Sequence, residues 1–250
     1  MAAVDRIKGI QQQAALTAAV APRDTIVAFL SPYGPQAVSG RFARSLASAT
    51  HYDGYSPVPE HHGRIGGVMH QEAGPMVGEA RDGVVKAFLD TDADYLVFVD
   101  ADMEFPETAI HNLLDCARPV ERPVVGGLCF GGAPGRMFPT LYVFNEHDDG
   151  LETVGVSDYP DEAMIRVGAT GAAFLCIHRD VFVKLGDTWF TRTMTDHLGR
   201  AMPEDIGFCA RLHAEQIPVL VHTGIQVGHH KSVVLDAAMY RLGIPQSSPK

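Results

Sequence analysis

The sequence predicts an α/β fold in which a mostly parallel central sheet is flanked by helices. Short apolar runs of strand length alternate with stretches of helical periodicity, the pattern of parallel strands joined by crossover helices. The runs from Thr25 to Leu30 and from Tyr95 to Val99 are almost continuously apolar, as strands covered on both faces are. Each run ends in polar or turn-forming residues, Ser31-Pro32-Tyr33-Gly34-Pro35 and Asp100-Ala101-Asp102. Right-handed crossovers bring such strand ends to one edge of the sheet, where ligands collect.

Residues 1–22 read as a helical arm with Val4, Ile7, Ile10 and Ala14 on one face, suited to contacts between copies of the chain. Its apolar part is short and alanine-rich, unlike a secretion signal. Residues 23–243 read as one domain and 244–250 as a frayed tail. After the first strand, Arg41 to Ala49 reads as a helix. His51 to Gly67, with Gly, Pro and His and no period, reads as a loop. Pro75 to Leu89 is expected to be a helix, with Val77, Ala80, Val84, Ala87 and Phe88 on one face. Tyr95 to Val99 is the clearest strand. Pro106 is expected at the first position of a helix that buries Ile110, Leu113 and Leu114. A strand over Val124 to Phe130 leads into a glycine-rich loop, Gly131 to Gly135. Further strands are expected at 141–144, 171–177 and 218–221, and a helix from Pro203 to Glu215.

The 250 residues carry 20 basic and 30 acidic side chains, a net charge of −10, and are 46% hydrophobic. This is globular composition, which excludes wholesale disorder. No apolar run approaches the ~20 residues of a membrane span. The acidic balance argues against a nucleic-acid surface, which needs clustered Lys and Arg. Cys116, Cys129, Cys176 and Cys209 are scattered without a CxxC pair, which favours reduced core thiols and a cytoplasmic protein.

Asp100-Ala101-Asp102 is the sharpest chemical signal. Two carboxylates just past a buried strand can converge on a hard cation, Mg²⁺ or Mn²⁺, that keeps positions open for substrate phosphates; a solvated turn is the plainer alternative. Glu204-Asp205 opens a helix, where the dipole favours acids, and the same carboxylates could serve as a general base. His229 follows a run of apolar and small residues and suits a metal beside carboxylates, or a purely structural role. Thr170 and Gly171 lie in Gly168-Ala-Thr-Gly-Ala172, where small residues admit a close ligand or make a tight turn. Trp189 fills the core or walls the face of a sugar. His61, His62 and His70 show no defensible metal-ligand spacing. The phosphate-loop patterns GxGxxG and GxxxxGK[ST] are absent, as is the GxSxG of serine hydrolases.

Taken in order, Tyr95-Leu-Val-Phe-Val-Asp-Ala-Asp-Met103, Gly168-Ala-Thr-Gly-Ala-Ala-Phe174, Pro203-Glu-Asp-Ile-Gly-Phe-Cys-Ala-Arg211 and Val227-Gly-His229 resemble the nucleotide-sugar-dependent glycosyltransferases of the GT-A fold, in the family-2-like form common in bacteria and their phages. The resemblance covers roughly Thr25 to His230. It implies a Rossmann-like sheet with a donor-binding half over about 23–130 and an acceptor and catalytic half over about 131–243. It also implies Mn²⁺ or Mg²⁺ held by Asp100, Asp102 and His229, with Asp102 the direct ligand and Asp100 nearer the ribose or the metal's water shell. Ser31, Pro32, Tyr33, Arg81, Asp100, Ala101, Thr170 and Gly171 would bind a UDP- or GDP-type sugar. Asp205, assisted by Glu204, would be the base of an inverting transfer, and Trp189 would face the acceptor, a glycan, lipid or protein hydroxyl. Asp82 departs from the asparagine often seen after that arginine. Two other readings remain at this level: a sugar-nucleotide nucleotidyltransferase, and a non-catalytic carbohydrate-binding or assembly module.

Overall fold

The computed structural model describes residues 25–32, 38–74, 76–133, 136–191 and 193–230. The expected arm over 1–22, the tail over 244–250 and Tyr33 lie outside the described residues. The chain forms β1 (Thr25–Pro32), α1 (Gly40–Tyr55), β2 (Ile65–Ala73), α2 (Val77–Leu89), β3 (Tyr95–Asp100), β4 (Met103–Glu104), α3 (Ala109–Cys116), β5 (Val124–Leu128), β6 (Phe130–Ala133) and β7 (Arg136–Pro139). It continues with β8 (Leu141–His147), β9 (Gly150–Gly155), β10 (Met164–Val167), β11 (Ala169–Thr170), β12 (Phe174–His178), α4 (Arg179–Leu185), α5 (Glu204–Ala214), β13 (Val219–Gln226) and β14 (Gly228–His229).

Seven strands form the central sheet in the order β10-β13-β5-β12-β3-β1-β2. Strands β2, β1, β3, β5 and β13 run one way, while β12 and β10 run against them. The sheet is therefore mostly parallel, as the apolar runs predict. Alternation along each strand divides the core into two layers. On one face Ile26, Ala28 and Leu30 of β1 and Leu96 and Phe98 of β3 pack with Val84 and Phe88 of α2, Phe182 of α4 and Phe208 of α5. On the other face Val27, Val97 and Val99 pack with Phe42 of α1 and Ile110, Leu113 and Leu114 of α3. The register pairs Leu30 with Asp100, so Ser31 and Asp102 emerge at one edge.

Four sequence expectations need correction. The segment from His51 to Gly67 is not a loop: α1 runs on to Tyr55, a short 3₁₀ turn covers Pro59–His61, and β2 begins at Ile65. The polar end of α1 is kept by Asp53, whose Oδ1 accepts from the backbone N–H groups of Arg64 (2.9 Å) and Ile65 (3.1 Å) and faces His111 Nε2 at 2.9 Å. These partners are remote in sequence and leave no periodic trace. Strand β2 escapes notice because it is an edge strand with mostly exposed side chains. The region after Cys129 is a hairpin of β6 and β7 rather than a loop. Pro106 is not the first helical residue; its carbonyl accepts from Ala109 N (3.0 Å) in a turn that precedes α3. The expected strand from 171 starts only at Phe174, with Ala169–Thr170 a separate short strand on β8.

Close packing at the sheet centre yields a direct test. A Cβ on Gly127 would lie 2.9 Å from both the Ile225 carbonyl oxygen and Phe174 Cδ1, whereas one on Gly155 meets nothing within 4 Å. Gly127→Ala is expected to destabilise by about 1–3 kcal/mol, the usual cost of overpacking. Gly155→Ala should be neutral or slightly stabilising. Urea unfolding of the two variants checks this contrast.

Candidate active site

The site lies at the edge where β1 and β3 end. Its centre is Arg81 on α2, only 3% exposed. Arg81 donates through Nη1 to the Ala172 carbonyl (3.0 Å) and through Nη2 to Asp100 Oδ1 (3.1 Å). Its Nε lies 3.8 Å from Glu204 Oε1. The guanidinium sits beside the edge-to-face pair of Phe98 and Phe190, 5.4 and 5.7 Å from their centroids, where cation–π attraction adds to the ion pairs. One side chain thus joins the end of β3, the approach to β12 and the start of α5.

Two residues beyond Asp100, the chain turns. Asp102 Oδ2 faces His229 Nε2 at 3.0 Å, while His229 Nδ1 faces the Phe130 carbonyl oxygen at 2.9 Å. The carbonyl can only accept, so Nδ1 carries the proton and Nε2 is the nitrogen presented to Asp102. Short strands fix this meeting: Met103 and Glu104 of β4 pair with His229 and Gly228 of β14. His230 adds a backbone bond to the Asp102 carbonyl (2.8 Å). Glu104 is gripped by Arg41, Arg44 and His230, and the His230 contact, followed by Arg41, holds its carboxyl below the usual range.

Asp205 stands at the first turn of α5, where Pro203 offers no side-chain cap. Its Oδ1 accepts from Ile206 N at 2.8 Å. Burial, and then the charge of Glu204, push its pKa up to about 6, against the lowering effects of the Ile206 N–H and Arg81. The absence of a side chain at Gly171 leaves room before this carboxylate: a Cβ there would sit 3.6 Å from Asp205 Oδ2 and 3.7 Å from Thr140.

The other expected residues divide. Ser31 is at the edge, but its Oγ lies 2.7 Å from His70 Nε2, and His70 stacks on Phe29 with ring centroids 4.7 Å apart. Pro32 closes β1. The backbone of Ala101 is spent internally, donating to the Leu30 carbonyl and accepting from Ser39 N. Thr170 is buried, its carbonyl oxygen 3.7 Å from Cys209 Sγ. Asp100 is turned to Arg81, and among the described residues no three His, Cys, Asp or Glu side chains gather as a metal cage. Trp189 is core: its indole is 4% exposed, donates to the Phe182 carbonyl (2.9 Å) and meets the Phe182 ring edge-on. An acceptor cannot stack on a ring enclosed in this way.

Three residues to which the sequence reading gave no site role enter the site's framework. His70 pairs across to Phe29 and signals nothing in sequence, because β2 itself was hidden. Glu104 lies only two residues past Asp102. Asp82 accepts from the backbone N–H groups of Trp189 (3.2 Å), Phe190 (2.7 Å) and Thr191 (3.3 Å) and from the Thr191 hydroxyl. Four donors converge on it, so an acceptor-only carboxylate fits where an amide would aim its NH₂ at other donors. That is the physical reason for aspartate at this position.

The fold is that of the GT-A class. No family model and no curated protein matches the chain. Among solved structures, it resembles the crystal structure of A197 from STIV at a TM-score of 0.55 and 15% identity, covering 84% of this chain and 86% of that one. It also resembles the crystal structure of GalNAc-T7 with UDP, GalNAc and Mn²⁺ at a TM-score of 0.51 and 13% identity, covering 83% of this chain. The match spans 44% of the GalNAc-T7 chain. Likeness at these identities establishes the architecture.

The Arg81 and Asp205 environments yield two tests. Arg81→Ala leaves Asp100 and Glu204 without their shared cation and opens a buried space beside the Phe98 and Phe190 rings; it is expected to cost about 3 kcal/mol in urea unfolding. For Asp205, folding raises the pKa from about 4 to about 6, so the folded state binds the proton more tightly. The stability this contributes is full below about pH 4 and is lost as pH rises through 6. Asp205→Asn should therefore melt higher than the unaltered protein above pH 6, with the gap closing toward pH 4. Thermal melts across pH 4–8 measure both curves.

Proposed function

We propose that this protein is a metal-dependent glycosyltransferase that moves a sugar from a nucleoside-diphosphate donor of UDP or GDP type to an acceptor hydroxyl, with inversion. The observation that carries this reading is one edge bearing two different acid groups: Asp102 against His229, and a half-protonatable Asp205 facing the gap at Gly171. The first pair suits a divalent cation. Its 3.0 Å separation is also the spacing of two adjacent ligands on a cation with bonds of about 2.1 Å. The Phe130 carbonyl fixes the His229 tautomer from behind, as the hydrogen-bond acceptor on the far nitrogen does for metal-binding histidines. A carboxylate and an imidazole leave most of the coordination sphere to water and donor phosphates, the usual way Mg²⁺ and Mn²⁺ are held. The cation, when bound, neutralises charge on the leaving diphosphate as a Lewis acid. GalNAc-T7, of like fold, is described with UDP, GalNAc and Mn²⁺.

In this reading Arg81 is a positioning residue. It keeps Asp100 from the cation and directs it toward the ribose side, and it holds Glu204 so that α5 presents Asp205. Asp205 takes the proton of the attacking hydroxyl at Oδ2, the oxygen nearest the Gly171 gap. A base with a pKa near the working pH transfers protons most effectively. Ser31, oriented by His70, lies where β1 delivers its end to the nucleotide. The wall on the acceptor side is not Trp189.

Two measurements decide. Titration calorimetry with UDP and GDP, with and without Mn²⁺, should show metal-dependent binding that Asp102→Asn and His229→Ala each weaken at least ~10-fold. Unchanged metal-dependent binding in both variants would remove the site. Transfer or donor hydrolysis should rise with pH through about 6 and fall roughly 10²–10⁴-fold in Asp205→Asn, while donor binding persists. The released product should be nucleoside diphosphate; pyrophosphate would mark attack at phosphorus, a nucleotidyltransferase.

A further inference from the structure

The hairpin of β6 and β7 grows out of the site itself. At its root the Phe130 carbonyl holds His229, and Thr140, just past β7, borders the gap in front of Asp205. A Cβ on Gly171 would lie 3.7 Å from Thr140 Cβ and Oγ1 and 3.6 Å from Asp205 Oδ2. Two residues out along β7 stands Phe138, paired with Gly131 of β6. A Cβ on Gly131 would lie 3.0 Å from Phe138 Cε2 and Cζ and 3.6 Å from Thr140 Cγ2. The Phe138 ring and the Thr140 side chain therefore share one side of the hairpin, and Thr140 links that ring to the Asp205 gap. The missing side chain at Gly131 makes the room that the far end of the ring occupies. Phe138 is 38% exposed, whereas Trp189 is 4%. Met137, 83% exposed, pairs with Gly132 and so points to the opposite side of the hairpin. Tyr142, two residues beyond Thr140, is half-buried; burial and then the charge of Asp205 raise its phenol pKa, which marks it as a neighbour of the same carboxylate.

We propose that Phe138 is the acceptor-side wall of the transfer centre, the surface on which a saccharide acceptor packs while its hydroxyl meets Asp205; the proposal rests on the glycosyltransferase reading above. The base defines which substrate lies here. Asp205 Oδ2 takes the proton of the attacking hydroxyl, and the donor's diphosphate is drawn to the Asp102–His229 pair, so a molecule lying from Asp205 over Thr140 toward Phe138 is the acceptor. The chemistry of this side of the hairpin selects the acceptor class. An exposed aromatic ring offers apolar surface to the C–H face of a sugar. Thr140 Oγ1 gives its proton to the Cys129 carbonyl (3.2 Å), which leaves lone pairs to accept from a sugar hydroxyl. The Tyr142 phenol can both donate and accept. One apolar surface followed by hydroxyl groups suits a polyol. An acyl or prenyl chain needs continuous apolar surface, and the neighbouring exposed apolar side chain, Met137, is on the other side. A ring paired with a strand glycine also steadies a hairpin, so a variant that keeps apolar bulk at 138 is needed to isolate the binding role.

The full chain, with Mn²⁺ and UDP or GDP, is applied to a printed array of neutral and charged mono- and oligosaccharides, and separately to sedimenting vesicles of phosphatidylcholine and phosphatidylglycerol. Retention on defined saccharides is expected, without sedimentation. Phe138→Leu keeps apolar bulk beside Gly131 but lacks the flat ring, and it should cut retention about 10-fold, the scale of a lost aromatic contact. Phe138→Tyr keeps the ring and should retain binding. Met137→Ser, on the opposite side of the hairpin, should leave saccharide retention and donor hydrolysis as in the unaltered chain. Donor binding by calorimetry should persist in all three variants, and matching thermal melts report intact folding. Retention on no saccharide, equal retention by Phe138→Leu, or equal loss in Met137→Ser and Phe138→Leu would overturn the proposal. So would vesicle binding that Met137→Ser abolishes, which would mark the hairpin as a lipid contact. Donor binding and hydrolysis that stay intact beside any of these results leave the transferase reading standing. If the unaltered chain shows no donor binding or turnover, yet saccharide retention is lost in Phe138→Leu and kept in Phe138→Tyr, the transferase reading falls and a saccharide-binding face remains.

Discussion

The buried guanidinium of Arg81 is the constraint on which the rest of the site depends. A charge taken so far from water must be matched by several partners or it destabilises the fold. Its partners come from three separate parts of the chain: Asp100 at the end of β3, the Ala172 carbonyl before β12, and Glu204 at the start of α5. Satisfying one cation therefore brings the strand end and the start of α5 into register. The rings of Phe98 and Phe190 confine it further and give the cluster a low-dielectric lining. Burial of its own carboxyl, with the neighbouring negative charge of Glu204, lifts the pKa of Asp205.

The next residue along α2 extends this logic. Asp82 collects the backbone N–H groups of 189–191, the segment that carries Phe190 under Arg81. One helical turn thus anchors two layers of the site, through a cation toward the sheet edge and an anion toward the loop before α5. Buried Trp189 completes that loop's packing against α4. The loop acts as a fixed shelf, and its aromatic residues serve the protein interior.

Charge is distributed along the sheet edge by function. The deep groups, Arg81, Asp100 and Asp205, are coupled to one another, whereas Asp102 and His229 form a shallower pair on the β4–β14 ladder. Glu104 continues that ladder outward to α1. Under the proposed reading a net charge of −10 does not exclude an anionic donor, because local pairing, and the cation that Asp102 and His229 would hold, decide the field its phosphates would meet.

Much was legible in the sequence. Strands β1 and β3 announce themselves because burial on both faces demands continuous apolar residues, and the polar residues at their ends mark the edge. Asp100, Asp102, Asp205 and His229 stood out by residue type and position. Tertiary structure alone decided how they divide: Asp102 meets His229, 127 residues away, while Asp100 turns to Arg81. It also decided that Trp189 is enclosed, that Asp82 must be a carboxylate, and that the stretch to Gly67 hides the end of α1 and an edge strand. Periodicity records only whether a side chain faces apolar surroundings. A polar side chain buried by partners remote in the sequence, or a strand paired on one edge, leaves no period to read, so these features follow only from the folded chain.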